Sequence, residues 1–191
     1  MHEITLRYNP KRVAQVMENI DTIFKQISHG VYVVGVRHGD RQNAFTAAWV
    51  MQASFCPPLL AISINPEHYS YQLLQAGGVC TVNVLGQHQY AIAEHFGGSA
   101  KDKMAGFQWQ KGKTGAPILS ESLAYFDCQV SHCTDAGDHK IVVCNVIDAA
   151  RLNEGSPLLY KQTDDMDGSS KLYKKAPTES TFVPVALTLN K

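Results

Sequence analysis

The sequence has no excess of charge, no long apolar run and no paired cysteines, and each absence narrows what the chain can do. Lys+Arg and Asp+Glu number 17 each over 191 residues. There is therefore no electrostatic footprint for nucleic acid or an anionic membrane surface. No apolar stretch approaches the roughly 20 residues that cross a bilayer. The N-terminus, Met1-His2-Glu3-Ile4-Thr5, lacks the basic and apolar regions of a signal peptide. A cytoplasmic protein is expected, with neither nucleic acid nor membrane as a partner. The five cysteines (Cys56, Cys80, Cys128, Cys133, Cys144) form no C-x-x-C pair. Three sit in apolar, strand-like runs and read as reduced, buried thiols. The eight histidines include no H-x-x-x-H or H-E-x-x-H pair on a helix, so no metal site is expected. Internal repeats are absent as well.

What is present is an ordinary globular composition, 45% hydrophobic and 18% charged, enough for one domain with a sizeable core. Asn9-Pro10 is a helix-start signal. Val13, Val16, Met17, Ile20, Ile23, Phe24 and Ile27 follow at helical spacing, which predicts an amphipathic helix over 10–28 with one buried stripe. From residue 31 the pattern becomes β. A run over 31–37 turns at Gly39-Asp40 into a segment over 44–54, and strands are expected over 59–64, 79–85, 123–132 and 140–149, with a short one over 157–160. Short helices over 69–76 and 87–96 each end at a Gly-Gly pair. Strands do not alternate regularly with helices, so the class is mainly β with flanking helices, an antiparallel barrel. Residues 1–162 are read as one domain. Residues 163–191 are read as a partly mobile C-terminal extension, with an apolar end at 182–187 that would dock on the body or on a partner subunit.

Four stretches stand out. Asn43-Ala44-Phe45-Thr46-Ala47-Ala48-Trp49 is a strand-like run whose small residues would let a backbone edge approach a flat ring. Period-2 alternation puts Phe45, Ala47 and Trp49 on one face and Ala44, Thr46 and Ala48 on the other; an ordinary barrel strand has the same pattern. Ser63-Ile64-Asn65-Pro66-Glu67-His68-Tyr69-Ser70 leads from a strand into a helix start, either an anion site or simple capping, with Glu67 counting against the anion. Lys101, Lys103, Lys111 and Lys113 crowd a loop-like stretch with Phe107 and Trp109, either phosphate countercharge or a solvated face. His139 follows Asp138 at a turn-to-strand boundary.

Residues 27–147 resemble the flavin reductase-like family of FMN-binding split-barrel proteins. The matching pieces, in order, are Gly30-Val31-Tyr32-Val33-Val34, the 43–49 run, Ser54-Phe55-Cys56-Pro57-Pro58-Leu59, Thr81-Val82-Asn83-Val84-Leu85 and Asp138-His139-Lys140-Ile141. Two departures, Ala44 where the family often has Gly and Cys144 after the strand following the histidine, leave the subfamily open. The resemblance implies an antiparallel Greek-key split β-barrel forming a homodimer, with one FMN (FAD possible) per subunit. It also implies NAD(P)H as electron donor, and a monooxygenase or another electron-acceptor protein as partner. Its alternative is a flavoredoxin-like electron carrier without NAD(P)H activity. The cofactor-binding set it implies is Asn43, Phe45, Thr46, Ala47, Ala48 and Trp49 for the ring and Ser63, Asn65, His68, Ser70 and Tyr71 for the phosphate. Phe96 and Lys101 flank that set. His139 would be the catalytic residue, hydrogen-bonding a nicotinamide amide or shuttling a proton. Hydride transfer to a flavin needs no triad or carboxylate pair, and the sequence offers none.

Overall fold

The computed structural model describes residues 20–99 and 102–172. By contacts the described residues divide into two units, one spanning 28–166 and one holding 20–27 and 167–172. In the smaller unit the described helix α1 (Ile20–Phe24) has no buried residue. The expected stripe therefore does not hold there. Bonds from Gln26 N–H to Ile23 O and from Ile27 N–H to Phe24 O tighten the chain into a turn, ending the helix before 28. The helix start at Asn9-Pro10 lies outside the described residues.

The larger unit is built on hairpins. β1 (Tyr32–His38) turns at Gly39, whose φ is +60°, into β2 (Arg41–Ala47). β3 (Val50–Ser54) pairs with β4 (Leu59–Ile64), which leads through α2 (Tyr69–Gly77) to β5 (Val79–Val84). Then come α3 (Tyr90–Gly97), β6 (Trp109–Lys111), β7 (Pro117–Leu119) and the long hairpin β8 (Ala124–Ala136) and β9 (His139–Arg151). Seven strands form one antiparallel sheet in the order β2-β1-β5-β8-β9-β4-β3. β2 and β3 are thus opposite edges of the sheet, yet only Ala48 and Trp49 separate them in the chain. Three Cα steps bring the edges within about 11 Å of each other there. The sheet must roll up, with a seam between its two edges: a split barrel of the expected mainly β, antiparallel kind.

The strand expected over 44–54 is this seam. It divides at Ala48-Trp49, because its first half pairs with β1 and its second with β4. β1 explains its own unbroken apolar run: Val34 and Val36 face a core with Phe45, Ala47, Ile62 and Val82, while Val31 and Val33 face a second core with Ala44, Phe96 and Leu119. Both faces are buried, so no polar alternation is needed.

Other expectations are corrected by tertiary pairing. The loop-like stretch after 101 contains β6, and with β7 it makes a two-stranded sheet. β7 is held by buried side chains of β5. Asn83 donates to Val33 O (2.8 Å) and accepts from Leu119 N–H (2.9 Å), and Thr81 Oγ1 donates to Pro117 O. Three-residue strands pinned this way leave no periodic signal. The segment 157–160 forms only isolated bridges, Gly86 with Pro157 and Gly30 with Leu159, before a 3-10 turn over Tyr160–Gln162. Within the extension expected to be partly mobile, Ser169–Leu172 is helical (α4), and its apolar end at 182–187 lies outside the described residues. No described helix is long and apolar enough to cross a membrane.

Candidate functional site

A cleft of about 600 Å³ opens beside β2, within the range of small-molecule sites. One wall is the edge strand itself, through Asn43, Phe45 and Thr46. An edge strand leaves alternate N–H and C=O groups unpaired by its neighbour. The second wall is the turn into α2, through Glu67, His68, Tyr69 and Ser70, and the third is the end of α3, through Phe96, Gly97, Gly98 and Ser99. Lys103 completes the lining.

Short polar contacts hold these walls together. Asn43 Nδ2 donates to Ser70 Oγ at 3.1 Å, tying β2 to α2. Thr46 Oγ1 donates to Ala93 O at 2.6 Å, tying β2 to α3. That donation leaves the lone pairs of Thr46 free to accept. At Gly97 an added Cβ would find only Thr46 Cβ, 4.0 Å away. Two adjacent glycines therefore leave this wall without side chains.

Lys103 is placed by its neighbours. Its Nζ donates to Phe96 O (3.0 Å), and its own carbonyl bonds His95 Nε2 (3.0 Å). The loop behind it is packed by Phe107, whose ring centroid lies 4.9 Å from His95 and 4.8 Å from Phe96. Trp109 Nε1 donates to Met104 O at 2.9 Å. Burial pushes the Lys103 ammonium below its ordinary range. His68 is pushed down as well, first by burial, then by the positive charges of Lys103 and His139; Glu67 opposes the shift.

Of the residues singled out in sequence, the fold brings Asn43, Phe45, Thr46, His68, Ser70 and Phe96 into this cleft. Others stand elsewhere. Ala47 is buried in the barrel core, because its period on β2 points it inward, and Ala48 packs on the second core. Tyr71 is also in the barrel core, with its hydroxyl 3.8 Å from Cys133 Sγ. Asn65 Oδ1 accepts the Glu67 N–H at 2.9 Å, so its side chain closes the turn. Ser63 lies on β4, its N–H donating to Trp49 O at 2.9 Å.

Trp49 and His139 meet at the seam, with ring centroids 5.0 Å apart and planes at 47°. His139 Nδ1 bonds Asp138 Oδ1 at 2.7 Å, and its side chain is 20% exposed. Of the four lysines, Lys103 lines the cleft, Lys111 is on β6 and Lys113 pairs with Asp148 at 2.9 Å, while Lys101 lies outside the described residues. Sequence reasoning missed Tyr69, Gly97, Gly98 and Ser99. The Gly-Gly pair was legible as a helix stop, but not as a wall. No group of metal-ligating side chains is found among the described residues.

The comparisons with known proteins agree on one family. The model of the flavin reductase-like domain matches residues 24–169. A high molecular weight rubredoxin of Moorella thermoacetica is 33% identical over 139 residues, covering 70% of this chain and 61% of that protein. An FMN reductase (NADH) RutF of Agrobacterium fabrum is 34% identical over 117 residues, covering 60% of this chain and 67% of that protein. Among solved structures, the Streptomyces globisporus NADH:FAD oxidoreductase in complex with NAD and FAD fragments superposes with a TM-score of 0.71 at 28% identity, covering 83% of this chain and 94% of that one. The chain spans about three fifths of the rubredoxin, and 24% of a Nostoc diflavin flavoprotein.

Proposed function

The chain belongs to the flavin reductase-like family, and from that premise we propose that it is an NAD(P)H-dependent flavin reductase holding FMN, or FAD, in the cleft beside β2. The observation that carries the reading is the cleft itself. The edge strand, through Asn43, Phe45 and Thr46, faces a wall of two glycines, and the basic side chains of Lys103 and His68 line the same cleft beside Glu67. These residues fit a flat ring with an anionic tail. A bound flavin supplies the hydride-accepting chemistry.

The protein's part is to bind and orient. The β2 edge, with Thr46, would meet the polar rim of the ring, and dipoles held there favour added electron density. Phe96 and Phe45 would exclude water. His139, held by Asp138 and packed at a tilt against Trp49, would hydrogen-bond a nicotinamide amide at the seam. Donor and acceptor held in contact convert a bimolecular step into a near-unimolecular one.

Two finer statements belong to the same reading. First, the protein is a homodimer. Met51 is 64% exposed, Phe55 89% and Ile147 45%, on β3, its turn and β9. Residues 42–66 carry no charged side chain, so nothing there repels a second identical face. Second, it works in the cytoplasm, where reduced thiols persist; among the described residues all five cysteines are free. A monooxygenase component is the partner we favour for the reduced flavin.

The test is a visible spectrum of purified protein, followed anaerobically after NADH and then NADPH. Oxidised-flavin bands bleached rapidly by either nucleotide are expected. Bands that only dithionite bleaches would transfer the reading to a flavoredoxin-like electron carrier, kept as the second reading because a rubredoxin and diflavin flavoproteins are among the relatives. Protein that neither holds nor takes up flavin would overturn both.

A further inference from the structure

We propose that His68 is a proton-linked phosphate ligand: a phosphomonoester bound in the basic corner of the cleft takes up a proton at this imidazole, so that the protein grips phosphorylated flavin more tightly as pH falls. The proposal rests on the flavin reading and deepens it.

The geometry comes first. His68 and Lys103 line the same cleft from different segments, the turn into α2 and the loop after α3. As the cap residue of α2, His68 makes no side-chain hydrogen bond to the helix, so its imidazole is not spent on capping. Lys103 spends one donor on Phe96 O and keeps two of its three. The charged groups facing His68 are Lys103, His139 from β9 and Glu67 from its own turn, with Asp138 bonded to His139. Glu67 N–H is held by Asn65 Oδ1, which fixes the turn beneath both side chains.

The electrostatics then give the sign. In the free protein, burial and the positive neighbours hold His68 below its ordinary value, so it is neutral at neutral pH. A phosphate dianion placed between Lys103 and His68 reverses the local field and favours the imidazolium. The folded apoprotein thus lacks a proton that the complex carries. Affinity must rise as pH falls through the pKa of His68 in the complex and on toward its lower value in the free protein. Lys103 supplies the fixed charge and His68 the conditional one.

The experiment measures binding of FMN and of riboflavin, which lacks the phosphate, to wild type and His68→Asn from about pH 6 to pH 8. The phosphate's own second ionisation lies near about 6, and it cancels between the two proteins. Wild type should gain about tenfold over the variant in FMN affinity across this range, which is one pKa unit of linkage. Riboflavin should show no such difference. Titration calorimetry of both proteins in buffers of different ionisation heat gives a second readout. Wild type should take up more protons on binding FMN than His68→Asn does, with no such difference for riboflavin. Parallel FMN profiles in the two proteins, equal proton uptake in the two, or a difference that riboflavin shows as well would each overturn the proposal while leaving the flavin reading standing. Failure of both flavins to bind wild type at any pH would overturn the flavin reading and this proposal with it.

Discussion

Gly97, His139 and Ala47 show how differently single positions bear on the cleft. Gly97 contributes by absence: a Cβ meets nothing closer than Thr46 at 4.0 Å, so a larger residue is accepted by the backbone but intrudes on the cleft. Gly97→Leu should remain folded by circular dichroism and bind FMN at least about tenfold more weakly, a loss of about 1.4 kcal/mol, measured by fluorescence titration. His139 is set apart from the cleft wall, packed at a tilt against Trp49 and bonded to Asp138. His139→Ala should raise KM for NAD(P)H about five- to tenfold, as one lost hydrogen bond would, with flavin still bound; an unchanged KM would return it to a turn histidine. Ala47, by contrast, is 8% exposed in the barrel core. A charge placed there would test folding and not flavin.

At the scale of elements, the site depends on strands that do not touch it. β7 lies against β1 and β5 because Asn83 makes three buried hydrogen bonds, to Val33 O, Thr81 Oγ1 and the Leu119 N–H. Asn83→Leu removes this buried partner from Val33 O and the Leu119 N–H, while Thr81 Oγ1 keeps its bond to Pro117 O. The expected cost is about 2–4 kcal/mol, read as a lower denaturation midpoint in urea. Close approach matters too. A Cβ on Gly77 would lie 1.8 Å from Arg37 O, so α2 can end against β1 only with glycine there. Gly77→Ala should shift that helix end, and with it Ser70 and His68 on the same helix. The expected result is weaker flavin binding together with lower stability; retention of both would refute the coupling.

For the whole molecule, the rolled sheet leaves one apolar, uncharged face on β3 and the turn that follows it. Exposed Phe55 and Met51 are costly to solvate unless covered. Sedimentation at micromolar concentration should show a species of twice the 21.0 kDa chain mass. Phe55→Asp should convert it to monomer with an unchanged circular dichroism spectrum. A wild-type protein that sediments as a monomer would refute the dimer.

The strand order along the chain, the Gly39-Asp40 turn and both short helices before Gly-Gly stops were legible in the sequence, because each rests on local rules of period and backbone freedom. The order and spacing of five short pieces, from Gly30-Val31 through the 43–49 run to Asp138-His139, pointed to the family. What tertiary structure decided was everything that depends on pairing between distant segments. The division of one apparent strand at Ala48-Trp49 follows from having different partners on its two halves. β6 and β7 exist because β5 holds them. Lysines close in sequence separated, because Lys113 found Asp148 on β9 while Lys103 was drawn to the end of α3. A strand's alternation tells which residues share a face. Only the rolled sheet decides that Thr46, His68 and Gly97 face one cleft, because that meeting is made by contacts far apart along the chain.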